Sequence, residues 1–389
     1  MTSARRIKIG LLWHSATSGN LGVGALTLAN MAIVREVARG MGLEPEFLIL
    51  GMRDGAQAYV RPDDAGVYVI DTRAMLSPKG FWRVVGEQDC VLDIGAGDSF
   101  ADIYASRRYL YLWATKMMAI ARRVPLLLSP QTIGPFSRTP HKQMAAMALR
   151  GARAVVVRDQ PSFDAVSELA PGAHTVLSTD VAFALPYEPQ ARSKMRPRIG
   201  VNVSGLLFGD ALAGRSRFGL GFDYAQLNRR FIAEMQARGD VDIHLFTHVT
   251  SSDPTDNDGW AIDQLAAEFP GTIRTPDFPG PSEAKAFISS LDFMTSGRMH
   301  ACIGAVSSLT PVVPIAYSRK FRGVFGMVHY PWFIDTGLDT DSALTRLRDG
   351  FDRRQELARD AKAGMAIVQP LLDAYRGELT RLFASLPAR

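Results

Sequence analysis

The sequence predicts an α/β protein built as two doubly wound, Rossmann-like domains that face each other across a cleft. Three observations carry this expectation. Short β-branched runs alternate with longer helical segments along nearly the whole chain, the pattern of a mainly parallel sheet with crossover helices. The alternation breaks once, at Leu185 to Arg198, where three prolines and mixed charge mark a linker, and then restarts. The length of 389 residues exceeds what a single core usually fills.

In the first unit, Lys8 to Trp13 reads as a buried strand, Gly22 to Met41 as a helix, and Glu46 to Leu50 and Cys90 to Ile94 as further strands. A helix is expected around Tyr109 to Arg123, a strand at Pro125 to Ser129, a helix around His141 to Leu149, a strand at Ala154 to Val157 and a helix at Gln160 to Leu169. The second unit opens with the strand Ile199 to Val203, then a helix at Tyr224 to Arg238 and a strand at Asp242 to Thr247. Helices at Trp260 to Phe269 and Ser282 to Leu291, a strand at Asp292 to Thr295, a helix at Arg298 to Ser307 and a strand at Val312 to Ala316 complete it. The expected division is residues 1–190, 191–345 and a C-terminal helical segment, 346–389, that packs back on the first domain.

A net charge of +5 divides evenly between the two halves, which argues against a nucleic-acid surface. A pI of about 9.2 is compatible with anionic ligands or an anionic membrane surface. Cys90 and Cys302 are the only cysteines and belong to no metal-type spacing, as in a reducing compartment. The apolar run before His14 is too short for a signal-peptide core. The longest apolar stretch considered as a span, Tyr109 to Ala121, contains Lys116 and falls short of ~18 to 20 residues. A cytoplasmic protein, with peripheral contact at the inner face of the membrane, is the expectation.

In an open α/β sheet, ligands gather at the carboxyl ends of strands. Ser296-Gly297-Arg298-Met299-His300 lies at such an end and leads into a helix, with Lys320 following the next strand. A helix N-terminus attracts an anion, Arg298 adds a forked donor, and His300 can exchange a proton near neutrality. The competing reading pairs Arg298 with Asp292 and makes His300 a satisfied buried histidine. His14 to Gly24, containing Asn20 and Gly22, is a glycine-bearing turn without the spacing of a dinucleotide fingerprint. Asp93 to Ser99 offers Gly97 and Asp98 after a strand; Asp98 reads as a base or sugar ligand, or as a helix N-cap. Gln131 to Phe136 reads as a binding loop or a plain turn. His244, His248, Asp253, Asp256 and Asp258 superficially suggest a metal site, but turn formation accounts for the aspartates, and no metal is expected. Arg107-Arg108 and Arg122-Arg123 read as solvated helix faces.

Taken in order, Asn20-Leu21-Gly22, the Gly95/Gly97 loop, Gln131-Thr132-Ile133-Gly134-Pro135, Val157-Arg158-Asp159 with Ser162 and Asp180, and Ser296 to His300 with Pro314, Tyr317 and Lys320 resemble the polysaccharide pyruvyl transferase family. The resemblance implies a fold similar to B-type glycosyltransferases and a reaction that sets pyruvate from phosphoenolpyruvate onto a saccharide as a ketal. Carried over by position, Arg298 would hold the donor and His300 would protonate its methylene carbon. Lys320, Arg215 and Arg217 are expected on the donor phosphate, Asp98 as base, and Asn20, Gly22, Gly97 and Gln131 on a saccharide acceptor, free or lipid-linked. No cofactor is implied beyond the donor substrate. Val23 and Ala96 depart from the family pattern at an aspartate and a glycine. Two alternatives stand beside this one: a B-type glycosyltransferase using a nucleotide sugar, and a non-catalytic sugar- or anion-binding module.

Overall fold

The computed structural model describes residues 4–53, 55, 57–95, 100–103, 105–193, 195–251 and 253–387. The first sheet contains β1 (Arg5–Leu12), β2 (Leu43–Gly51), β3 (Gly66–Val69), β4 (Cys90–Asp93), β5 (Leu126–Gln131), β6 (Ala154–Val157) and β7 (Thr175–Leu177), in the order β3-β2-β1-β4-β5-β6-β7. The second contains β8 (Arg198–Asn202), β9 (Asp242–Phe246), β10 (Ile273–Arg274), β11 (Phe293–Ser296), β12 (Val312–Ala316) and β13 (Ile334–Asp335), in the order β10-β9-β8-β11-β12-β13. All of these pairings are parallel. The central strands are continuous apolar runs, as in the whole of β6 and the whole of β12, because helices bury both of their faces.

In the first domain α1 (Leu21–Gly40) lies on one face of the sheet; α2 (Thr72–Leu76), α3 (Phe81–Gly86), α4 (Ser106–Ala121), α5 (Thr139–Gly151) and α6 (Gln160–Leu169) form the other layer. The second domain contains α7 (Gly205–Leu212), α8 (Tyr224–Arg238), α9 (Asp258–Glu268), α10 (Pro281–Ser289), α11 (Met299–Ser307), α12 (Arg319–Met327) and α13 (Thr340–Asp352). The long α14 (Arg354–Ala384) leaves the second domain and lies beside α1 on the first. There the Tyr375 hydroxyl donates to Asn30 Oδ1 at 2.7 Å, and the Ser178 hydroxyl donates to the Leu371 carbonyl at 2.7 Å. Helix α1, and not the Tyr109 to Ala121 stretch, has the length and composition of a membrane-crossing helix; 67% of its most apolar window is buried inside the protein, as in a core helix.

Each sheet reverses its strand order once, between β1 and β4 and between β8 and β11. These reversals open crevices at the carboxyl ends of the strands, and the two crevices meet. The loop before α1 pairs with the loop after β9: Leu21 N donates to the His248 carbonyl at 3.1 Å and Thr250 N to the Gly19 carbonyl at 2.8 Å. Elsewhere on the seam, Arg319 Nη2 donates to the Gly134 carbonyl at 2.5 Å, and Gly323 packs against Asp159.

Candidate functional site

The cleft between the domains holds a cavity of ≈ 560 Å³ lined by side chains from both of them. Arg298, His300, Lys320 and His248 come from the second domain, and Asn20, Arg108 and Arg158 from the first. Polar groups thus converge from several strand ends and helix N-termini, as in small-molecule sites of α/β proteins.

The second-domain wall is organised by Asp258, a fully buried residue in the first turn of α9. Its Oδ2 accepts from the backbone N–H groups of His248 and Val249 at 3.0 Å each and from Asn202 Nδ2 at 3.1 Å. Its Oδ1 accepts from Gly205 N at 3.1 Å and from Arg298 Nε and Nη2 at 3.0 and 2.7 Å. Arg298 Nη1 lies 2.8 Å from Asp256 Oδ1. Arg298 therefore differs from the sequence expectation in two ways. It is the N-cap of α11 rather than its first residue, and its fork is engaged with Asp258 and Asp256 instead of being presented to an anion. Burial would push the guanidinium pKa down, but these two carboxylates raise it. Asp292, the partner considered in the sequence, instead accepts from the Arg198 backbone N–H.

The first-domain wall holds a second buried arginine. Arg158 donates through Nε to the Thr132 hydroxyl at 2.9 Å and through Nη1 to Asp180 Oδ2 at 2.7 Å. Asp180 follows β7 and also accepts from Ala182 N at 2.9 Å. The same Oδ2 lies 3.6 Å from His300 Nε2 across the domain boundary. That is an ion-pair distance and too long for a hydrogen bond, so Nε2 remains without a hydrogen-bond partner. Burial acts to raise the Asp180 carboxyl pKa, but Arg158 first and His300 second outweigh it and hold the group at about 2. The opposite edge of the imidazole rests on α1, where a Cβ added to Gly22 would stand 2.4 Å from His300 Nδ1. Gly22 is thus a seat for His300, and any side chain there would displace the ring.

Other expected residues have different places. Asn20 lines the cleft while its Oδ1 caps α1 by accepting from Gly22 N at 3.0 Å. Lys320 lines the cleft at the start of α12. Gln131 is buried below it, its Nε2 donating to the Asp93 carbonyl at 2.8 Å, because the left-handed Gly95 leaves room for an inward-turned amide. Arg215 and Arg217 lie outside the cleft. They flank Asp210 at 3.5 and 2.7 Å and border a separate hollow of ≈ 200 Å³ that shares Phe218 with it. Gly97 and Asp98 lie outside the described residues.

Sequence reasoning set aside two residues that the fold brings in. Arg108, read as part of a solvated face, lines the cleft. His248, read with His244 as a superficial metal pattern, also lines it; burial, then the charges of His300 and Arg298, push its pKa down to about 3 and keep the ring neutral. His244 is elsewhere, against the Phe287 ring at 5.7 Å. Among the described residues no group of three His, Cys, Asp or Glu side chains is arranged around a metal position.

The polysaccharide pyruvyl transferase family model matches residues 20–319, a span that contains every described cleft residue up to Ser318. The chain belongs to the polysaccharide pyruvyl transferase family. No curated protein matches it in sequence. Among solved structures, a putative UDP-N-acetylglucosamine 2-epimerase from Listeria monocytogenes superimposes with a TM-score of 0.61 at 11% identity, covering 97% of each chain. The MnaA protein of S. aureus in complex with UDP gives 0.60 at 12% identity, covering 99% of each chain. The Anabaena HepE protein in complex with UDP-glucose gives 0.58 at 14% identity, covering 98% of this chain and all of that one (100%). At such identities the likeness establishes the fold: this pyruvyl transferase family member has the two-domain Rossmann-like architecture of B-type glycosyltransferases and related epimerases.

Proposed function

We propose that the protein transfers the pyruvyl group of phosphoenolpyruvate to two hydroxyls of a saccharide, forming a ketal and releasing phosphate. The observation that carries the reading is the placement of His300, a proton donor flanked by the buried Asp180 carboxylate, in a cleft bordered by Arg108, Arg158, Arg298 and Lys320. Several cations around one acid suit a donor that carries a carboxylate and a phosphate. The cavity exceeds what a three-carbon phosphate fills and leaves space for a sugar ring.

The chemistry balances without an added redox partner. A proton from His300 goes to C3 of the donor, turning methylene into methyl, and the electron deficit at C2 is met by one sugar hydroxyl, whose proton returns to the neutral His300 imidazole. The C2–O bond to phosphate then breaks, the phosphate leaves with the electron pair, and a second hydroxyl closes the ketal as its proton passes to phosphate. Lys320 is the cation we assign to the leaving phosphate. Arg298 acts on the donor through an ordered wall, and it meets the carboxylate directly only where Asp256 turns away. Both ring nitrogens of His300 face the first domain, so delivery of its proton into the cleft requires rotation of the ring or parting of the domains.

Calorimetric titration with phosphoenolpyruvate, against uridine diphosphate and inorganic phosphate, tests the reading. Selective binding of phosphoenolpyruvate that Lys320→Ala weakens supports it. Preference for the nucleotide would replace it with glycosyl transfer, and a His300→Ala protein with full biological effect would favour a non-catalytic module.

A further inference from the structure

Between Asp102 and Asp159 the chain contains no acidic residue, whereas ten arginines and lysines fall in that interval. Lys116 and Arg158 are buried, but Arg107, Arg122, Arg123, Lys142, Arg150 and Arg153 are exposed. They lie on and beside α4 and α5, two helices locked together by the Tyr109 hydroxyl donating to the His141 carbonyl at 2.6 Å and Trp113 Nε1 to the Met144 carbonyl at 2.9 Å. Of the neighbouring acids, Asp71 caps α2, Glu87 pairs with Arg83, and Asp102 is held by Ser137 and His141.

The same face exposes large apolar side chains. Leu110 is 46% exposed, Met147 54%, Ile103 52% and Trp82 38%. Along α4 the exposed positions are Arg107, Leu110 and Ala121, with Ala114 and Met117 half-buried between them and no carboxylate anywhere on the helix. A helix on a soluble surface normally turns charged and polar residues outward. Exposed apolar side chains on two helices that carry cations and no carboxylate are the composition that lies in the interface of an anionic bilayer. The guanidinium groups of Arg107 and Arg122 sit over the Tyr111 and Trp82 rings at 5.7 and 5.3 Å, which places cations beside amphipathic aromatics. Ile103 and Arg108 continue this surface into the cleft, since both line it.

We infer that the α4–α5 face is a docking surface for an anionic lipid bilayer. Leu110, Met147 and Ile103 enter the interface, Arg107, Arg122 and Lys142 meet headgroup phosphates, and the cleft mouth opens at the edge of the contact. This docking stands apart from the pyruvyl-transfer reading, although it would bring a lipid-borne saccharide to the cleft.

Flotation of the full chain with vesicles of phosphatidylcholine alone, and of phosphatidylcholine with phosphatidylglycerol, tests it. Binding is expected only to the anionic vesicles and weakens with added salt. Each cation removed, as in Arg107→Ala or Lys142→Ala, lowers partition about five-fold, equivalent to about 1 kcal/mol. Leu110→Ser with Met147→Ser lowers it further at fixed salt, and unchanged unfolding midpoints identify folded variants. The inference is overturned by absence of flotation, by equal binding to neutral vesicles, or by tight binding to an RNA oligonucleotide combined with vesicle binding that ignores Leu110 and Met147. None of these outcomes alters phosphoenolpyruvate titration, so the two readings fail separately.

Discussion

The two walls of the cleft use the same device differently. Each places an arginine on a buried aspartate at the carboxyl end of its sheet: Arg298 on Asp258 in the second domain, Arg158 on Asp180 in the first. Asp258 directs all its bonds to its own domain and fixes three loops there. Asp180 divides its Oδ2 between Arg158 in its own domain and His300 in the other. One pair therefore consolidates a wall, whereas the other registers the two walls against each other. A buried ion pair is poor evidence of net stability but strong evidence of fixed geometry when its lone pairs are filled, and only the first pair is filled in this way.

The largest effect expected is at the residue between the walls. His300→Ala should lower turnover by about 10³-fold, within the range for a positioned acid, while leaving the unfolding midpoint nearly unchanged; phosphate release and NMR detection of the ketal methyl would show it. Retained turnover would remove His300 from the chemistry and reduce the Asp180 contact to packing.

Next is Asp258→Ala, which strands Arg298 and several backbone donors. It should cost about 3 to 5 kcal/mol in denaturant unfolding and more than Asp180→Ala, which strands fewer groups. An equal cost would erase the distinction between a consolidating and a registering aspartate.

The walls also share an acid sensitivity. Burial pushes His14, behind the first wall, to about 4, and burial with neighbouring charge pushes His248 at the second to about 3. Both are kept neutral in the folded chain, whereas an unfolded histidine takes a proton below about 6.5. The unfolded state then binds more protons, so stability should fall as pH drops below about 6.5, by about 1.4 kcal/mol per pH unit for each group, ending near pH 4 for His14 and pH 3 for His248. Asp180, held near 2, works in the same direction at lower pH: its contribution is complete above about pH 4 and is lost as pH falls through 2. Denaturant unfolding between about pH 7.5 and about pH 4.5 should slope accordingly, and His248→Gln should flatten the slope. A flat profile would mean that both rings are hydrated.

The smallest effect distinguishes seat from ligand. Gly22→Ala would normally favour helix α1 by about 1 kcal/mol, but its methyl group would push the His300 ring aside. Turnover should drop about ten-fold, about 1.4 kcal/mol in barrier, with folding intact. If saccharide affinity changed and turnover did not, Gly22 would act on the acceptor instead.

The central strands and most helices were legible because their apolar runs and helical periods are long enough to read. Elements that escaped were short or contradictory in composition: β10 and β13 have two residues each, and α12 carries Gly323 and Gly326 inside a helix. At the site, the position of His300 after β11 followed from strand order. The company kept by Arg298 did not, because Asp256 and Asp258 are about forty residues away in sequence and approach only once β8, β9 and β11 are neighbours. Asp180 was visible only as part of a family pattern. The basic α4–α5 face was hidden by counting charge over whole halves, where acids elsewhere in the first domain balance it.

The course of α14 bears on how the cleft can open. The chain passes between domains twice, through the extended segment after Leu185 and again from α13 into α14, and both passages border the same surface hollow of ≈ 530 Å³. Two cords fastened side by side resist twisting and sliding but yield to bending about the line that joins them. The molecule is thus built to gape like a bivalve shell, with the contact of His300 to the buried Asp180 inside the cleft and the Tyr375 hydroxyl, bonded to Asn30 and Ser129, fixing α14 to the first domain.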